Sequence, residues 1–507
     1  MIVKNLNSPD FQRKLKNLNS KKKKIGLCHG VFDLLHLGHI KHFNEAKKIS
    51  DILIVSVTED KFVSKGPGRP AFNQLQRMEA LSNLRSIDYV VLSNEPSAIN
   101  ILKKIRPNFY FKGPDYKQLG KDITKKILNE KREVEKYGGK LVITKSKKYS
   151  SSNLINDNLN ILTEQQRQII KKVKSKFNFE KIKEIIEDLK NIRPLVIGET
   201  IIDHYFFCET IGKSGKEPTL VMRHSFDEMY LGGAGAISRH VSEFCKKNNF
   251  LTMIGEKDNH LNFIKKNLSK NTNSFFLKKK NSPTILKKRF LDEVNKSKVL
   301  GVYSLNDSKL SKLQENLLIK KQREVSQHSD LTILSDYGHG MVTDRLRKEL
   351  IKNSNFIAVN AQVNAGNIGY HSLKNYCNVN FMIINELELR HEMRSKDEKI
   401  ESLIKALSKK QKINYLVVTR GSTGAILYHR IKNKIFYTDA FSKTSIDKVG
   451  AGDAMLSLLA LCLYKKIDVD LSLLLSSLAA AQSVNIIGNK SSIKKANLIK
   501  NLEHILS

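Results

Sequence analysis

The sequence predicts two doubly wound α/β domains in one chain, an N-terminal Rossmann-like domain and a larger C-terminal α/β domain. The length of 507 residues exceeds what a single hydrophobic core usually supports, so two domains are expected. Short β-rich runs alternate with amphipathic stretches from residue 24 to about residue 145, and the alternation restarts after Arg193-Pro194. Such alternation is typical of a parallel sheet with helices on both faces.

The N-terminal alternation predicts its elements one by one. Helices are predicted from about His39, near 73–84 and near 97–105. Because ligands of doubly wound sheets bind at the carboxyl ends of strands, the segment after the first strand is a candidate site. We place this domain at residues 20–155. The predicted strands are KIGLCHG, DILIVSVTED, DYVVLS, FYFKG and KLVITK.

A helical connector is predicted between the two alternations. Residues 153 to about 190 are rich in Lys, Asn, Glu and Gln, and they carry Ile, Leu and Phe at helical spacing. We assign 156–190 to the connector and 191–507 to the second domain. A strand-rich segment near 206–231 is predicted to form a small lid. The strands of the second domain are expected at LVIGETIID, LTMIGE, LTILSDYG, FIAVNA, FMIINELEL and YLVVTRGSTGAILY.

Charge and cysteine content limit the classes of function. The formal charge is +38, but Lys is spread along the whole chain without a zinc finger or a basic stripe, so we expect no nucleic-acid partner. Small anionic substrates suit this charge equally well. Five cysteines are scattered without a CxxC pair, and no signal peptide is expected, which favours a reduced, cytoplasmic protein. AMLSLLALCLY is too short to span a bilayer, so no membrane partner is expected.

The stretch CHGVFDLLHLGHIKHF, residues 28–43, holds four histidines where a strand end meets a helix. The spacing of His36 and His39 places two imidazoles on one face of a first helical turn, beside backbone N–H groups. This arrangement suits a polyphosphate better than zinc, which would need a third ligand. Gly30 would let the backbone turn sharply near a nucleotide. A purely structural interpretation, with one histidine capping and the other packing, also fits HxGH alone.

Four ordered motifs resemble the cytidylyltransferase-like nucleotidyltransferases. They are GVFDLLHLGH, KGPGRPAFNQLQRMEAL at 65–81, FKGPDY at 111–116 and YSSSNLI at 149–155. The resemblance implies transfer of a nucleotidyl group from ATP or CTP to a sugar 1-phosphate, with Mg²⁺ on the triphosphate. It implies that His36 and His39 are catalytic and stabilise the triphosphate while pyrophosphate leaves. The implied nucleotide-binding residues are Gly30, Phe32, Lys65, Arg77, Asp115, Ser151 and Ser152.

Other side chains in the histidine-rich stretch have less definite expectations. For Asp33, a turn-stabilising Asx interaction and a substrate contact both stay open. Cys28 and His42 are expected to be incidental. His29 is kept as a candidate for supporting the two catalytic histidines.

The segment DKVGAGDAMLSLL, residues 447–459, places a glycine-flanked turn before a long apolar helix. The N–H groups of Gly450, Ala451 and Gly452 would form an anion hole for a transferring phosphoryl group. Asp453 would then lie where it can accept a proton from an attacking hydroxyl. GxGD alone also fits an ordinary helix cap.

The surrounding motifs resemble the ribokinase family of sugar kinases. They are GETIID, LGGAGAISRHV at 231–241, INELE at 384–388, VVTRGSTGA at 417–425 and GAGD. The resemblance implies a ribokinase-like fold with a small β lid, and ATP-dependent phosphorylation of a sugar or sugar phosphate. Glu388 would arrange Mg²⁺ through water. The implied residues are Asn385, Glu388, Thr419, Gly421, Gly424, Gly450, Ala451 and Gly452 for ATP, Asp203, Gly232 and Gly233 for the sugar, and Asp453 as the catalytic base.

The sequence departs from this family mainly on the sugar side. Ala236 stands where many members have Asn, and Asn360 stands where Asp is common. The segment IGKSGKEPTLV at 211–221 also departs from the lid of the heptose kinases. The phosphorylation reaction is therefore better supported than the identity of its substrate.

The two resemblances together imply a bifunctional sugar kinase and nucleotidyltransferase that supplies an NDP-sugar for surface glycans such as lipopolysaccharide. The domain pair resembles the bifunctional ADP-heptose synthases, in which the kinase comes first, so the order is reversed here. A homodimer is expected, because lids of related kinases often pair. Three alternatives stay open: a cytidylyltransferase and kinase acting on a polyol phosphate, a regulatory or scaffold protein with a degenerate kinase half, and an RNA-binding protein.

Overall fold

The chain forms two compact units, one comprising residues 1–162 with 499–507 and the other comprising residues 163–498. Each unit has its own sheet, as expected for two α/β domains. The computed structural model describes residues 2–3, 8–63, 69–95, 97–114, 126–145, 162–258, 260–364, 366–368, 371–442 and 447–506.

The sheet of the N-terminal unit is parallel throughout its described strands. Its strands are β1 (Ile2–Val3), β2 (Ile25–Gly30), β3 (Ile52–Thr58), β4 (Tyr89–Ser93), β5 (Phe109–Lys112) and β6 (Lys140–Ile143). Their spatial order is β1-β4-β3-β2-β5-β6. The strand order reverses direction at β2, and the carboxyl end of such a strand is where doubly wound sheets bind ligands. The predicted Rossmann-like sheet is confirmed.

Five described helices cover this sheet. They are α1 (Pro9–Ser20), α2 (Leu37–Ile49), α3 (Gln74–Ser82), α4 (Ile99–Ile105) and α5 (Lys126–Glu135). The start of α3 is fixed by a capping box, in which the Asn73 side chain accepts from the N–H of Gln76 and the Gln76 side chain accepts from the N–H of Asn73. Strand β1 and helix α1 precede residue 20 and belong to this unit.

The C-terminal unit is built on a longer, mainly parallel sheet. The main order is β10-β9-β7-β13-β14-β15-β16-β17-β18, with only β17 and β18 antiparallel to their neighbours. The described strands are β7 (Pro194–Lys213), β8 (Leu220–Gly233), β9 (Asn248–Lys257), β10 (Thr272–Pro283), β11 (Ile285–Asp292), β12 (Lys298–Ser304), β13 (Leu331–Asp336), β14 (Ile357–Ala361), β15 (Phe381–Asn385), β16 (Tyr415–Thr419), β17 (Ala425–His429) and β18 (Lys434–Thr438).

The long strand β7 belongs to two layers. Its first half lies in the main sheet between β9 and β13, and its second half continues beyond the carboxyl edge of that sheet. There it pairs with β8 on one side and with β11 on the other, and β12 extends this small sheet from β11. We call the second half of β7 with β8, β11 and β12 the lid. The predicted lid segment near 206–231 lies within β7 and β8.

Helices pack on the C-terminal sheet. They are α6 (Glu164–Lys176), α7 (Phe179–Asp188), α8 (Ala234–Ser242), α9 (Leu261–Asn267), α10 (Lys312–Ser326), α11 (Asp344–Asn353), α12 (Glu386–Met393), α13 (Ile400–Gln411), α14 (Ala451–Tyr464) and α15 (Val469–Ser483), and α16 (Lys495–Leu506) ends the chain. The apolar run AMLSLLALCLY is buried within α14, as predicted. Among the described residues, no helix has both the length and the apolar character needed to cross a bilayer.

The two helices of the predicted connector belong to the C-terminal unit. Helix α6 packs against α15 and β18, and a capping box between Thr163 and Gln166 begins it. Gln166 also donates to the carbonyl oxygen of Ala440, and the exposed fraction of its side chain is small. The segment buries a row of apolar side chains, namely Ile169, Ile170, Val173, Ile182, Ile186 and Leu189.

Candidate active sites

The first candidate site lies at the carboxyl end of β2, where Gly30 and Phe32 shape the turn before α2. A Cβ atom at Gly30 would come within 2.9 Å of the Phe32 ring, so only glycine fits beneath this ring. Phe32 has a φ of +51° and is nearly buried. Its ring contacts His39 edge-on, with 5.4 Å between centroids, and also packs on Phe43. Gly30 and Phe32, both predicted from the motif, therefore form an apolar surface beside the histidines.

His36 and His39 lie together at the start of α2. His36 is the N-cap, and its Nδ1 accepts from the N–H of Gly38 at 3.1 Å. Since Nδ1 accepts, a neutral His36 carries its proton on Nε2 and is a donor there. The rings of His36 and His39 stack with 4.0 Å between centroids. The structure thus brings the two predicted histidines together at a helix N-terminus, where anions are favoured.

Two charged residues hold the loops around this helix start. Asp33 accepts from the N–H groups of Ala71 and Phe72, at 2.9 and 3.0 Å. This is a long-range contact rather than a local Asx turn. Arg77 is fully buried and donates to the carbonyl oxygens of Phe72, Val31 and Thr58 and to Asp60. Among the described residues, the Arg77 guanidinium, which the resemblance assigned to the nucleotide, therefore has partners within the protein.

The other polar residues of the histidine-rich stretch are used internally. His29 Nδ1 lies 3.1 Å from Ser56 Oγ, and His42 Nδ1 lies 2.8 Å from Thr144 Oγ1. Burial, together with the nearby Lys112 charge, lowers the pKa of His42 to about 4, so this ring is neutral at physiological pH. Cys28 is buried, and burial raises the pKa of its thiol far above the usual range. None of these groups needs a ligand to explain its position.

Four of the predicted nucleotide-binding residues lie outside the described residues. They are Lys65, Asp115, Ser151 and Ser152.

The second candidate site is a cavity of about 710 Å³ at the carboxyl edge of the C-terminal sheet, beneath the lid. Residues from β7, β14, β15 and β16 line it, together with the start of α14. Four strand spacings separate β7 from β16 in the sheet, which corresponds to about 19 Å. A cavity of this length can hold a nucleoside triphosphate and a second substrate in line.

The GAGD turn forms the start of α14 within this cavity. Gly450 has a φ of +88°, and a Cβ atom there would lie 2.1 Å from Asn489 Oδ1, so glycine is required at this N-cap. Ala451 and Gly452 follow in the first turn, and all three residues line the cavity. Their position at a helix start favours a bound anion.

Asp453 lies in the first turn of α14 and lines the same cavity. The Tyr337 hydroxyl donates to Asp453 Oδ1 at 3.3 Å. Burial raises the pKa of Asp453 to about 7, and the nearby Asp203 charge acts in the same direction. A carboxylate with this pKa can accept a proton near neutral pH.

The sugar side of the cavity carries more positive charge than the motifs indicated. Asp203 lies on the lid face that lines the cavity, with Gly232 beside it and Gly233 one residue further along β8. Arg289 Nη1 donates to Asp203 Oδ1. No sequence motif indicated Arg289, because it lies on β11, which pairs with β7 only in the folded lid.

Lys287 is a second cation that no sequence motif indicated. It also lines the cavity and is largely buried. Its ammonium lies 5.3 Å from the centroid of the Tyr303 ring. With Arg289, it gives the sugar side of the cavity a positive character.

The nucleotide side of the cavity is formed by the end of β16 and the turn after it. Thr419, Gly421 and Gly424 line the cavity, as predicted from the VVTRGSTGA motif. Thr419 Oγ1 donates to the carbonyl oxygen of Ile384 at 3.4 Å. The turn is exposed at Gly421, which leaves its backbone accessible to a ligand.

Asn385 and Glu388 form a capping box at the start of α12. Glu388 Oε2 accepts from the N–H of Asn385 and its Oε1 accepts from the N–H of Val363, at 2.8 and 3.0 Å. Burial raises the pKa of Glu388 to about 7. Within the part of the chain that the structure describes, no group of three or more His, Cys, Asp or Glu residues could hold a metal ion. The Glu388 carboxylate offers hard oxygen donors, which suit Mg²⁺ that is held mainly by phosphates and water, as this ion usually is with nucleotides.

The two departures from the sugar-kinase pattern differ in position. Asn360 lines the cavity and donates to the carbonyl oxygen of Ile383 at 3.1 Å. Ala236 is buried in α8 and is not among the residues lining the cavity. Of the two, only Asn360 is placed to affect a ligand directly.

The fold and the second site define a small-molecule kinase. A doubly wound sheet carries a β lid over a cavity, and a half-buried aspartate lies in the glycine-rich first turn of a helix there. The chain belongs to the pfkB family of carbohydrate kinases, whose model matches residues 193–496, more than half of the chain. Residues 27–157 match the cytidylyltransferase-like family model. Both resemblances predicted from the motifs are confirmed.

Curated relatives match a shorter part of the chain. The bifunctional protein HldE of Campylobacter jejuni subsp. doylei is 35% identical over 137 residues, which cover 25% of this chain and 30% of that protein. HldE of Caulobacter vibrioides is 37% identical over 150 residues, covering 28% of this chain and 29% of that protein. The similarity falls on the cytidylyltransferase-like segment, and the chain spans less than one third of these relatives.

A solved structure matches the kinase unit. The crystal structure of phosphofructokinase-2 from Escherichia coli in complex with potassium aligns with a TM-score of 0.51 at 14% identity. The alignment covers 62% of this chain and 99% of that chain. At this identity the similarity establishes the fold, and the predicted ribokinase-like fold is confirmed.

Proposed function

We propose that the chain is a bifunctional enzyme that makes an NDP-sugar of the ADP-heptose type for surface glycan synthesis. The C-terminal unit phosphorylates a sugar or sugar phosphate with ATP. The N-terminal unit transfers a nucleotidyl group from a nucleoside triphosphate to a sugar 1-phosphate. The observation that carries this proposal is the cavity at the start of α14, where half-buried Asp453 completes the GAGD turn, with Asp203 on one side and the turn after Thr419 on the other.

In the kinase reaction, Asp453 accepts the proton of the attacking hydroxyl. The hydroxyl oxygen bonds to the γ-phosphorus of ATP, and the bond from that phosphorus to the bridging oxygen of ADP breaks. The N–H groups of Gly450, Ala451 and Gly452 stabilise the negative charge on the transferring group. The pKa of about 7 lets Asp453 take the proton and release it after the transfer.

The acceptor sugar is held by the lid. Asp203 accepts a hydrogen bond from a sugar hydroxyl, and its contact with Arg289 holds the carboxylate in orientation. Gly232 and Gly233 let the backbone approach the sugar. The positive Lys287 and Arg289 favour an acceptor that carries an anionic group such as a phosphate.

The nucleotide is held by the other half of the cavity. Thr419, Gly421 and Gly424 contact the nucleoside portion, while Asn385 and Glu388 lie on the phosphate side. Mg²⁺ neutralises the phosphates when bound, and Glu388 holds it through water.

In the transferase reaction, a sugar 1-phosphate oxygen bonds to the α-phosphorus while the bond to pyrophosphate breaks. The attacking oxygen is already anionic, so charge neutralisation and positioning carry the catalysis. His36 donates from Nε2 and His39 donates beside it to the triphosphate. Gly30 and Phe32 shape this site, and Arg77 positions its loops from within. Lys65, Asp115, Ser151 and Ser152 complete the proposed nucleotide site, with ATP or CTP as its substrate and Mg²⁺ on the triphosphate.

We also propose that the chain forms a homodimer through the outer face of the lid. Phe206 and Phe290 stack there, with 4.9 Å between ring centroids. Apolar side chains are exposed on the same face, where Met229 is 37%, Leu300 57% and Val302 45% exposed. Replacing Val302 with lysine is expected to produce a monomer, measured by light scattering after size-exclusion chromatography. An unchanged mass would contradict this interface.

The central experiment is to incubate the full chain with ATP or CTP and a panel of sugars and sugar phosphates, and to identify products by mass spectrometry. A sugar product heavier by one phosphoryl group is expected from the kinase, and an NDP-sugar is expected from a sugar 1-phosphate. Asp453→Asn should abolish only the first product, and His39→Asn only the second. Full phosphorylation by the Asp453→Asn variant would contradict the kinase assignment.

A further inference from the structure

Asp447 lies three residues before Gly450 and is tied to the lid by its side chain. Lys298 Nζ, at the start of β12, donates to Asp447 Oδ1 at 2.7 Å. The Tyr205 hydroxyl, on β7, donates to Asp447 Oδ2 at 3.0 Å. Both donors therefore come from the lid, and they reach opposite oxygens of one carboxylate.

The same carboxylate is bonded to the backbone on the other side. The N–H of Val449 donates to Oδ1 at 3.1 Å, and the N–H of Gly488 donates to Oδ2 at 3.0 Å. Val449 directly precedes Gly450 of the GAGD turn. Asp447 thus accepts four hydrogen bonds, two from the lid, one from the residue before the turn and one from Gly488, which follows α15.

The burial of this carboxylate gives the connection its strength. The Asp447 side chain is 6% exposed, whereas the Lys298 side chain is 37% exposed. Burial alone would raise the pKa of Asp447, but the hydrogen bonds from Lys298 and from the N–H of Val449 hold it below its usual range. A buried carboxylate is costly without its partners, so the loss of one donor is expected to displace the segment that carries it.

Through Asp447, the lid that faces the acceptor is connected to the turn that faces the transferring phosphoryl group. The lid carries Asp203 and Arg289, which face the acceptor side of the cavity. The turn carries the backbone N–H groups that face the transferring group. In-line transfer requires these two sets to keep a fixed separation, since displacements of about 1 Å can reduce a rate about 100-fold.

We propose that Lys298, acting through Asp447 and assisted by Tyr205, is a positioning residue that sets the GAGD turn relative to the acceptor-binding lid. This inference rests on the proposed kinase function for its kinetic consequence. Lys298 itself makes no bond to the reacting atoms in this role. Its removal should lower kcat while leaving the KM for the acceptor nearly unchanged.

The test compares Lys298→Met with Lys298→Arg in the full chain. Lys288→Met is the matched control, because Lys288 lies on the same lid but alternates to the opposite face of β11. Since Lys288 pairs in register with Val302 of the proposed dimer face, the oligomeric mass of this variant is first compared with that of the wild type. Lys298→Met is expected to lower kcat about tenfold, the usual effect of losing a hydrogen bond to a charged group. Arginine should restore most of the rate, and Lys288→Met should leave it unchanged.

A double-mutant comparison tests whether Lys298 acts through Asp447. In an Asp447→Asn background, Lys298→Met should cause little further loss, because the carboxylate that it positions is already gone. Tyr205→Phe should lower kcat in the same direction as Lys298→Met. Multiplicative losses in the double variant would overturn the proposal.

Hydrogen exchange of a peptide covering 447–463 gives a readout that needs no activity. Exchange should be about tenfold faster in Lys298→Met than in the wild type or in Lys288→Met. Unchanged exchange, or a raised acceptor KM with unchanged kcat, would overturn the proposal. If the wild type phosphorylates no sugar while exchange still responds, the kinase function fails and the positioning contact stands.

Discussion

Replacing Tyr337 with phenylalanine is expected to move the pH dependence of sugar phosphorylation to higher pH. Only the ionised form of Asp453 can accept the proton of the attacking hydroxyl. Since the pKa of Asp453 is raised to about 7, kcat/KM should fall below pH 7 by a factor approaching ten per pH unit. The Tyr337 hydroxyl donates to this carboxylate and stabilises its ionised form.

The size of the shift follows from the lost hydrogen bond. A hydrogen bond to a charged group contributes about 1.5–3 kcal/mol, and the separation of 3.3 Å places this one at the lower end. One pKa unit corresponds to about 1.4 kcal/mol, so the pKa of Asp453 should rise by about one unit. The ionised fraction at pH 7 then falls from about one half to about one tenth, and kcat/KM falls about fivefold. Above pH 9 the variant and the wild type should converge.

The assay is the initial rate of ADP release at subsaturating acceptor between pH 5.5 and 9.5. Glu388 needs a control, because burial raises its pKa to about 7 as well. Glu388→Gln should weaken the dependence on Mg²⁺ but keep the acid limb of the profile. An acid limb that stays in place in Tyr337→Phe, or moves to lower pH, would refute the assignment of Asp453 as the base.

Three further outcomes are expected. Burial raises the pKa of the Asp453 carboxyl from 3.8 to about 7, so the folded protein loses stability as pH rises between these two values. Asp453→Asn removes this ionisation and should therefore raise the free energy of unfolding at pH 8 by up to about 4 kcal/mol. Equal stability of this variant and the wild type in denaturant titrations would contradict it. A fragment 191–507 should fail to fold in circular dichroism, whereas 162–507 folds, because the six buried apolar side chains from Ile169 to Leu189 contribute about 9 kcal/mol or more. His39→Asn should reduce pyrophosphate release at least about 100-fold and leave ADP release unchanged.

The sequence predicted those features that depend on local pattern. Strands and the segments after them could be recognised because parallel sheets place apolar runs before their ligand-binding turns. His36, His39 and the GAGD turn could be assigned because helix starts favour anions whatever the rest of the fold contains. In the structure, the two histidines and the GAGD turn each lie at the carboxyl edge of a sheet, which agrees with that reasoning.

The features that the sequence did not predict depend on long-range pairing. Arg289 lies 86 residues from Asp203 along the chain and meets it because β11 pairs with β7. Lys298 lies 149 residues from Asp447 and reaches it from β12, which pairs with β11. Tyr337 reaches Asp453 across 116 residues. Arg77 shows the opposite effect: a motif implied contact with the nucleotide, but the guanidinium donates to the carbonyl oxygens of Val31, Thr58 and Phe72 and to Asp60. Which way a side chain faces is decided by such tertiary partners.

Both sites place phosphate groups at a helix N-terminus, but the nucleophiles proposed for them differ in acidity. Each site places a helix N-terminus at the carboxyl edge of a doubly wound sheet, which favours the phosphate groups of a nucleotide. The side chains in the first helical turn differ between the two sites. A sugar hydroxyl must lose a proton as it attacks, and a half-buried aspartate with a pKa of about 7 is present at the start of α14. A sugar 1-phosphate is already an anion, and at the start of α2 the chain has two stacked imidazoles that can donate to phosphate. The residues at each helix start therefore match the proton requirement of the reaction proposed for it.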